Sequence, residues 1–290
     1  MQQFQGMFFV IISAIAFGAI PVFAKAAYHA GSDPISVLFF RFSISSIIMI
    51  PSIAVRKIPY PRGRFLLGLL LMGGIGYVGQ SFCYFTALTM ASAGLVALLL
   101  YLYPAIVTIF STLLFKERMT GLKVFALILA LTGTVLTIGW DGGGSLLGIV
   151  LAMTAPLIYS AYILAGSKIT KEVDIFSSST VVMLSASAVF GVLVAVRGLN
   201  MPQTLTGWGG VLAIALISTV IAIITFFAGL KRVGPTNASM LSTFEPITTV
   251  VLAVIVFGEE MSFTRVAGGV LILCAVIALA KSEFRMRSST

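Results

Sequence analysis

Charge is what this 290-residue chain has least of: charged residues make up 9% of it, and only nine are acidic. Against 59% hydrophobic residues and a mean hydropathy of +1.11, that leaves no polar cover for a water-soluble globule, which is excluded. There is one histidine, His29, and no group of His, Asp or Glu with metal-ligand spacing. No nucleophile has an evident base beside it, and no Walker motif is present. These absences argue against an enzyme, a metal or other cofactor, and direct drive by ATP. The two cysteines, Cys83 and Cys274, sit inside apolar runs and read as packing residues. Long loops are missing too. The longest, Arg56 to Gly63, leaves no room for a soluble domain.

What the chain does have is ten apolar runs, each near the roughly 20 residues that a helix needs to cross the hydrocarbon. Charges, prolines and glycines divide them at 6–28, 34–55, 64–88, 93–114, 121–139, 146–166, 175–197, 206–229, 236–257 and 263–281. The first run is longer than a signal-peptide core and no basic side chain precedes it, so it is read as helix one. Twenty-two Phe and 28 Gly suit helices packed closely together and against lipid. With the N-terminus inside, inner loops and tail collect 14 of the 18 basic residues, leaving Lys25, Arg41, Arg197 and Arg265 elsewhere. Both termini are therefore expected to be cytoplasmic. The same asymmetry and contact with anionic lipid explain the net charge of +9 without a nucleic acid partner.

A constant step of 142 positions relates the two halves. Tyr103-Pro104, Phe115, Glu117 and Lys123 correspond to Glu245-Pro246, Phe257, Glu259 and Arg265, and Gly6, Phe85 and Leu88 to Gly148, Phe227 and Leu230. The expected units are 1–142 and 143–290, five helices each. An odd number makes the second unit enter the membrane from the opposite side, so the repeats are inverted. The loops agree: Lys116-Glu117-Arg118 falls inside, and its counterpart Gly258-Glu259-Glu260, outside, has lost the basic residues. Inverted halves that exchange conformations point to a transporter working by alternating access.

Ten helices in a five-plus-five arrangement, a proline in helices four and nine, Phe-x-Glu at the end of each of those helices, and Arg41 in helix two together resemble the drug/metabolite transporter superfamily, most closely its EamA-like branch. The resemblance covers the whole chain. It implies an all-α membrane protein of ten transmembrane helices, with helices one to four and six to nine around a central cavity and five and ten packed to one side. It also implies transport, usually export, of small metabolites, amino acids or drugs, and with the compact length it suggests a bacterial or archaeal inner membrane.

Ionisable groups inside the hydrocarbon are costly unless they face water or a partner. Glu245 lies roughly 12 Å into helix nine at 1.5 Å per residue. It reads either as a cavity-facing group and candidate proton site or as a partner to a neighbouring helix. Arg41 matches the family's helix-two arginine, and substrate contact and a tie to backbone carbonyls are both open to it. Lys25 reads as a side chain reaching the outer interface, with anion attraction as the alternative. Glu117 and Glu259 read as paired hinges or caps.

A second constellation is aromatic and polar. Phe17, Tyr77, Tyr84, Tyr101, Tyr103, Tyr159, Tyr162 and Phe226 fall on helices one, three, four, six and eight, with Gln80, Thr225, Asn237, Ser239 and Ser242 adding hydrogen-bonding groups. Tyr159 and Tyr162 share a face of helix six, and Tyr77, Gln80 and Tyr84 follow a similar stripe. Such stripes either line a wet pathway that stacks a flat substrate or are ordinary packing. Pro104 and Pro246 each remove a backbone bond in mid-helix and are expected to bend their helices; Pro21 and Pro156 are expected to do the same out of the repeat register. Gly73-Gly74-x-Gly76-x-x-Gly79 has no preceding strand and reads as close helix packing.

The expected activity is a secondary carrier for a small-molecule substrate, with amino-acid export first because a buried cation and anion suit a zwitterion. A multidrug or cationic-compound exporter is the alternative, and a channel the next. Membrane lipids are the only other expected partners. Two five-helix halves already make a full pathway, so a monomer suffices.

Overall fold

The computed structural model describes residues 2–88, 90–91, 96, 99–116, 119–138, 144–257 and 262–288. The expectations for Glu117, Glu259 and the loops holding them fall outside these residues, as do those for the side chains of Phe85, Leu88 and Arg265. The chain is an all-α membrane protein. Helix one is two pieces, α1 (Gln2–Gly18) and α2 (Ile20–His29), separated at Ala19 just ahead of Pro21. The second crossing is α3 (Pro34–Val55), and the third is α4 (Gly63–Leu71), a π turn π1 (Met72–Tyr77) and α5 (Val78–Leu88). The fourth ends in α6 (Tyr103–Phe115). The fifth, sixth and seventh are α7 (Gly121–Ile138), α8 (Leu146–Glu172) and α9 (Ile175–Arg197). The eighth is α10 (Leu205–Ala215), a second π turn π2 (Leu216–Ile221) and the start of α11 (Ala222–Leu241). The ninth takes the end of α11, a 3-10 turn at Ser242–Phe244 and α12 (Glu245–Phe257), and the tenth is α13 (Phe263–Ser288).

Local chemistry starts these helices where the sequence signals them. Asp33, Ser145, Asp174 and Thr204 each accept a backbone N–H from the first turn of α3, α8, α9 and α10, at 2.8 to 3.2 Å. The eighth and ninth crossings run through α11 without a loop. Gly234, at φ +78°, turns the chain between them ahead of Pro235, a conformation that glycine adopts without a Cβ penalty. Many large apolar side chains point outward, among them Phe8 at 62% and Ile255 at 73% exposure, as lipid-facing helices require. Pro156 leaves α8 unbroken, whereas Pro104 and Pro246 stand in the first turns of α6 and α12, directly after interruptions of the fourth and ninth crossings. The expected bends there are therefore breaks.

The contacts between crossings obey the 142-residue step. Crossing one packs on eight while six packs on three, and two packs on seven and five on ten, so exchanging the halves returns the same pairs. Single contacts repeat as well. A Cβ at Gly6 would stand 2.7 Å from the Arg232 Cβ, and one at Gly148 2.8 Å from the Met90 Cβ. Gly6 and Gly148 are one step apart, and so are Met90 and Arg232. Crossings five and ten pack chiefly on each other, and Gly133 approaches the Gly268 carbonyl so closely that no Cβ fits. The other eight surround the interior that holds the candidate site. Gly73 lies against the Val182 carbonyl of α9, which assigns the glycine-rich stripe of the third crossing to packing.

Candidate substrate site

The site begins at the breaks in crossings one, four and nine. Gly18, at the end of α1, leaves room for the Glu245 carbonyl: a Cβ there would stand 2.7 Å from that oxygen and from the Thr248 Cβ. Thr249 Oγ1 donates to the Gly18 carbonyl at 2.9 Å. One step along, Ser160 Oγ of α8 lies 3.4 Å from the Tyr103 carbonyl and donates to Pro156 O at 2.6 Å. Thus the N-terminal ends of two half-helices, α6 at Tyr103 and α12 at Glu245, are held inside the bundle by equivalent contacts.

From Glu245 a continuous row of tyrosines crosses the interior. Tyr101 donates its hydroxyl to Glu245 Oε2 at 3.4 Å, and its ring centroid lies 6.4 Å from that of Tyr103. Tyr103 meets Tyr159 edge-on at 4.8 Å, Tyr159 stacks on Tyr162 at 6.0 Å, and Tyr162 meets Tyr77 edge-on at 5.6 Å. Edge and offset contacts of this kind are the favoured arrangements of aromatic quadrupoles. At the far end Arg41 Nη2 donates to the Tyr77 hydroxyl at 2.9 Å. The buried cation and the acid therefore hold opposite ends of the row instead of each other.

The row has an accessible side. Tyr77, Tyr103 and Tyr162 are buried, whereas Tyr84, Gln80, Tyr101, Tyr159 and Glu245 are half-buried. The Tyr103 hydroxyl is buried, with the Ser242 side chain as a polar neighbour.

Other expected residues are used differently. Ser239 and Ser242 donate to the carbonyls of Thr236 and Ala238 on their own helix, and Asn237 Nδ2 to that of Val233. Thr225 likewise donates to Ile221 O at 2.7 Å. Gln80 accepts a bond from Ser81 at 3.4 Å. Sequence reasoning missed Thr219, which accepts the Arg41 Nε–H at 2.6 Å, and Ser218, whose carbonyl accepts from Nη2 at 3.0 Å. A signal for Thr219 was present, because it stands one step of 142 from Tyr77.

The sequence profile described as the EamA-like transporter family matches residues 4–139 and again residues 146–280. The chain belongs to that family. Among its relatives, this EamA-like protein is 24% identical over 280 residues to a Bacillus subtilis protein described as an uncharacterized transporter, YcbK, covering 91% of this chain and 88% of that one. It is 26% identical over 274 residues to the aromatic amino acid exporter YddG of Ancylobacter novellus, covering 91% and 93%. A solved crystal structure of a protein shares the fold with a TM-score of 0.83 at 21% identity, covering 97% of this chain and 98% of that one. As an EamA-like protein the chain is a transporter of the membrane-embedded, ten-helix, two-repeat type.

Proposed function

We propose that this transporter is a secondary carrier that exports amino acids, including those with flat or aromatic side chains. It works across the inner membrane by alternating access of the units 1–142 and 143–290, as a monomer with both termini cytoplasmic. The observation that carries the reading is the tyrosine row that ends on Glu245. In this reading the substrate ammonium binds Glu245 and its carboxylate meets the Tyr103 hydroxyl at the start of α6, where the helix dipole favours negative charge. The side chain lies against Tyr84, Tyr101 and Tyr159, with Gln80 beside them. The name of the Ancylobacter relative supports the substrate class.

A second reading, export of cationic compounds, is favoured by an acid set among aromatic faces, which attract cations even without a carboxylate partner. The test is counterflow in proteoliposomes with labelled amino acids and cationic dyes, across pH, for wild type and Glu245→Gln. Saturable amino-acid counterflow that falls in the variant supports the first reading. Dye counterflow alone moves the assignment to the second, and ion conductance without counterflow discards both.

A further inference from the structure

The third and eighth crossings, which are repeat partners, are both interrupted by a π turn near mid-helix. A π turn leaves carbonyls without their usual helical partners and often marks a place where a helix bends. Here side-chain hydroxyls, two of them from the second and seventh crossings, donate to carbonyls beside the turns. In π2, Thr219 Oγ1 donates to Ile214 O at 2.8 Å and Ser45 of α3 to Ala215 O at 2.9 Å. In the other half, Ser185 of α9 donates to Leu70 O, just before π1, at 2.7 Å. The second crossing thus stitches the π turn of the second half, and the seventh that of the first.

One side chain does both. Arg41 binds Thr219 and the Ser218 carbonyl in π2 and the Tyr77 hydroxyl at the end of π1. Tyr77 and Thr219 occupy the same position in the two repeats. Arg41 is 4% exposed, and its guanidinium lies 5.5 Å from the Tyr77 ring centroid and 5.0 Å from that of Phe42. A rigid fork with five donors suits a three-way tie that a single ammonium does not reproduce. The repeat counterpart of Arg41 is Met183, which carries no donor, so that position of the second repeat makes no such tie.

We propose that Arg41 is a positioning residue that couples the two π turns into one joint and, through Tyr77, sets the tyrosine row without touching the substrate. Its role in transport rests on the carrier reading above; the coupling of the turns does not. The test compares wild type, Arg41→Met and Thr219→Val in nanodiscs by hydrogen exchange of peptides covering both π turns. Arg41→Met is expected to speed exchange at both turns by about tenfold, as loss of a shared local restraint would. Thr219→Val is expected to speed exchange at π1 as well as at its own turn, and to lose the distant effect when Arg41 is already Met. Thr219→Val, which exchanges a hydroxyl for a methyl, decides the matter if the first variant does not accumulate.

In counterflow of labelled phenylalanine, Arg41→Met is expected to lower Vmax about tenfold and leave KM within about twofold. A rise in KM at constant Vmax would make Arg41 a substrate ligand and overturn the proposal, and so would exchange that changes at one turn only. If wild type carries no amino acid, the carrier reading falls, and the exchange experiment alone decides the role of Arg41.

Discussion

Two sets of crossings contribute residues to the interior, and the 142-residue step maps one onto the other. Crossings three, four and six contribute Tyr77, Tyr84, Tyr101, Tyr103, Tyr159 and Tyr162. The corresponding positions on crossings eight, nine and one are Thr219, Phe226, Thr243, Glu245, Phe17 and Ile20. Six of the eight tyrosines in the chain thus belong to one set, and the single deep acid takes a phenol's position in the other. The backbones obey the exchange: Gly18 meets the Glu245 carbonyl as Ser160 meets that of Tyr103. The frame is symmetric and the lining is not. Symmetry lets the halves trade conformations at little cost, whereas an asymmetric lining gives a solute one preferred orientation.

Five substitutions sharpen or break this comparison. The largest effect is expected at the frame. Gly18→Val puts a side chain where a backbone carbonyl stands, so overpacking of about 1–3 kcal/mol or more should cut folded yield and transport together, read by thermal unfolding and counterflow. Its counterpart, Ser160→Ala, already has its Cβ accommodated and loses only hydroxyl bonds, about 0.6 kcal/mol by membrane double-mutant cycles. Equal damage at both positions would mean that the two contacts are not equivalent.

Next in size comes the lining. Glu245→Gln should lower amino-acid counterflow about tenfold and flatten its pH profile while leaving thermal stability near wild type, because the amide keeps the shape and loses the charge. Tyr101→Phe removes a hydroxyl bonded to that acid and should raise KM by about threefold, as for a single hydrogen bond to a charged group. The smallest change is Tyr159→Phe, which makes the position match Phe17. Ring packing survives, so an effect of about twofold or less is expected for an aromatic substrate. A larger loss at Tyr159 than at Tyr101 would move the polar contact away from Glu245.

Much of the frame was legible in the residues. The helix pairing across the repeat and the glycine stripe of the third crossing took the places their chemistry suggests. The breaks were only half legible. Pro21, Pro104 and Pro246 announced disturbances, yet both π turns have no distinct residue pattern, because a π turn depends on how neighbouring helices pack against it. In the site, the tyrosines and Glu245 were visible as residues and their continuous row was not. Ser239 and Ser242 looked like substrate contacts, since a polar hydroxyl in a sequence does not reveal that its own helix carbonyl already takes it.

By itself the sequence determined the membrane class, the number of crossings and the repeat. Bilayer thickness and a constant offset are one-dimensional properties that any folded arrangement must respect. Only the tertiary structure decided that Arg41 reaches Tyr77 and Thr219 and that the phenols run unbroken to Glu245. A helix that is apolar on every side, one face toward lipid and another toward its neighbours, carries little periodic signal of which face turns inward. That choice is made by packing, where glycine-sized gaps such as Gly6 and Gly18 let one helix approach one partner and no other.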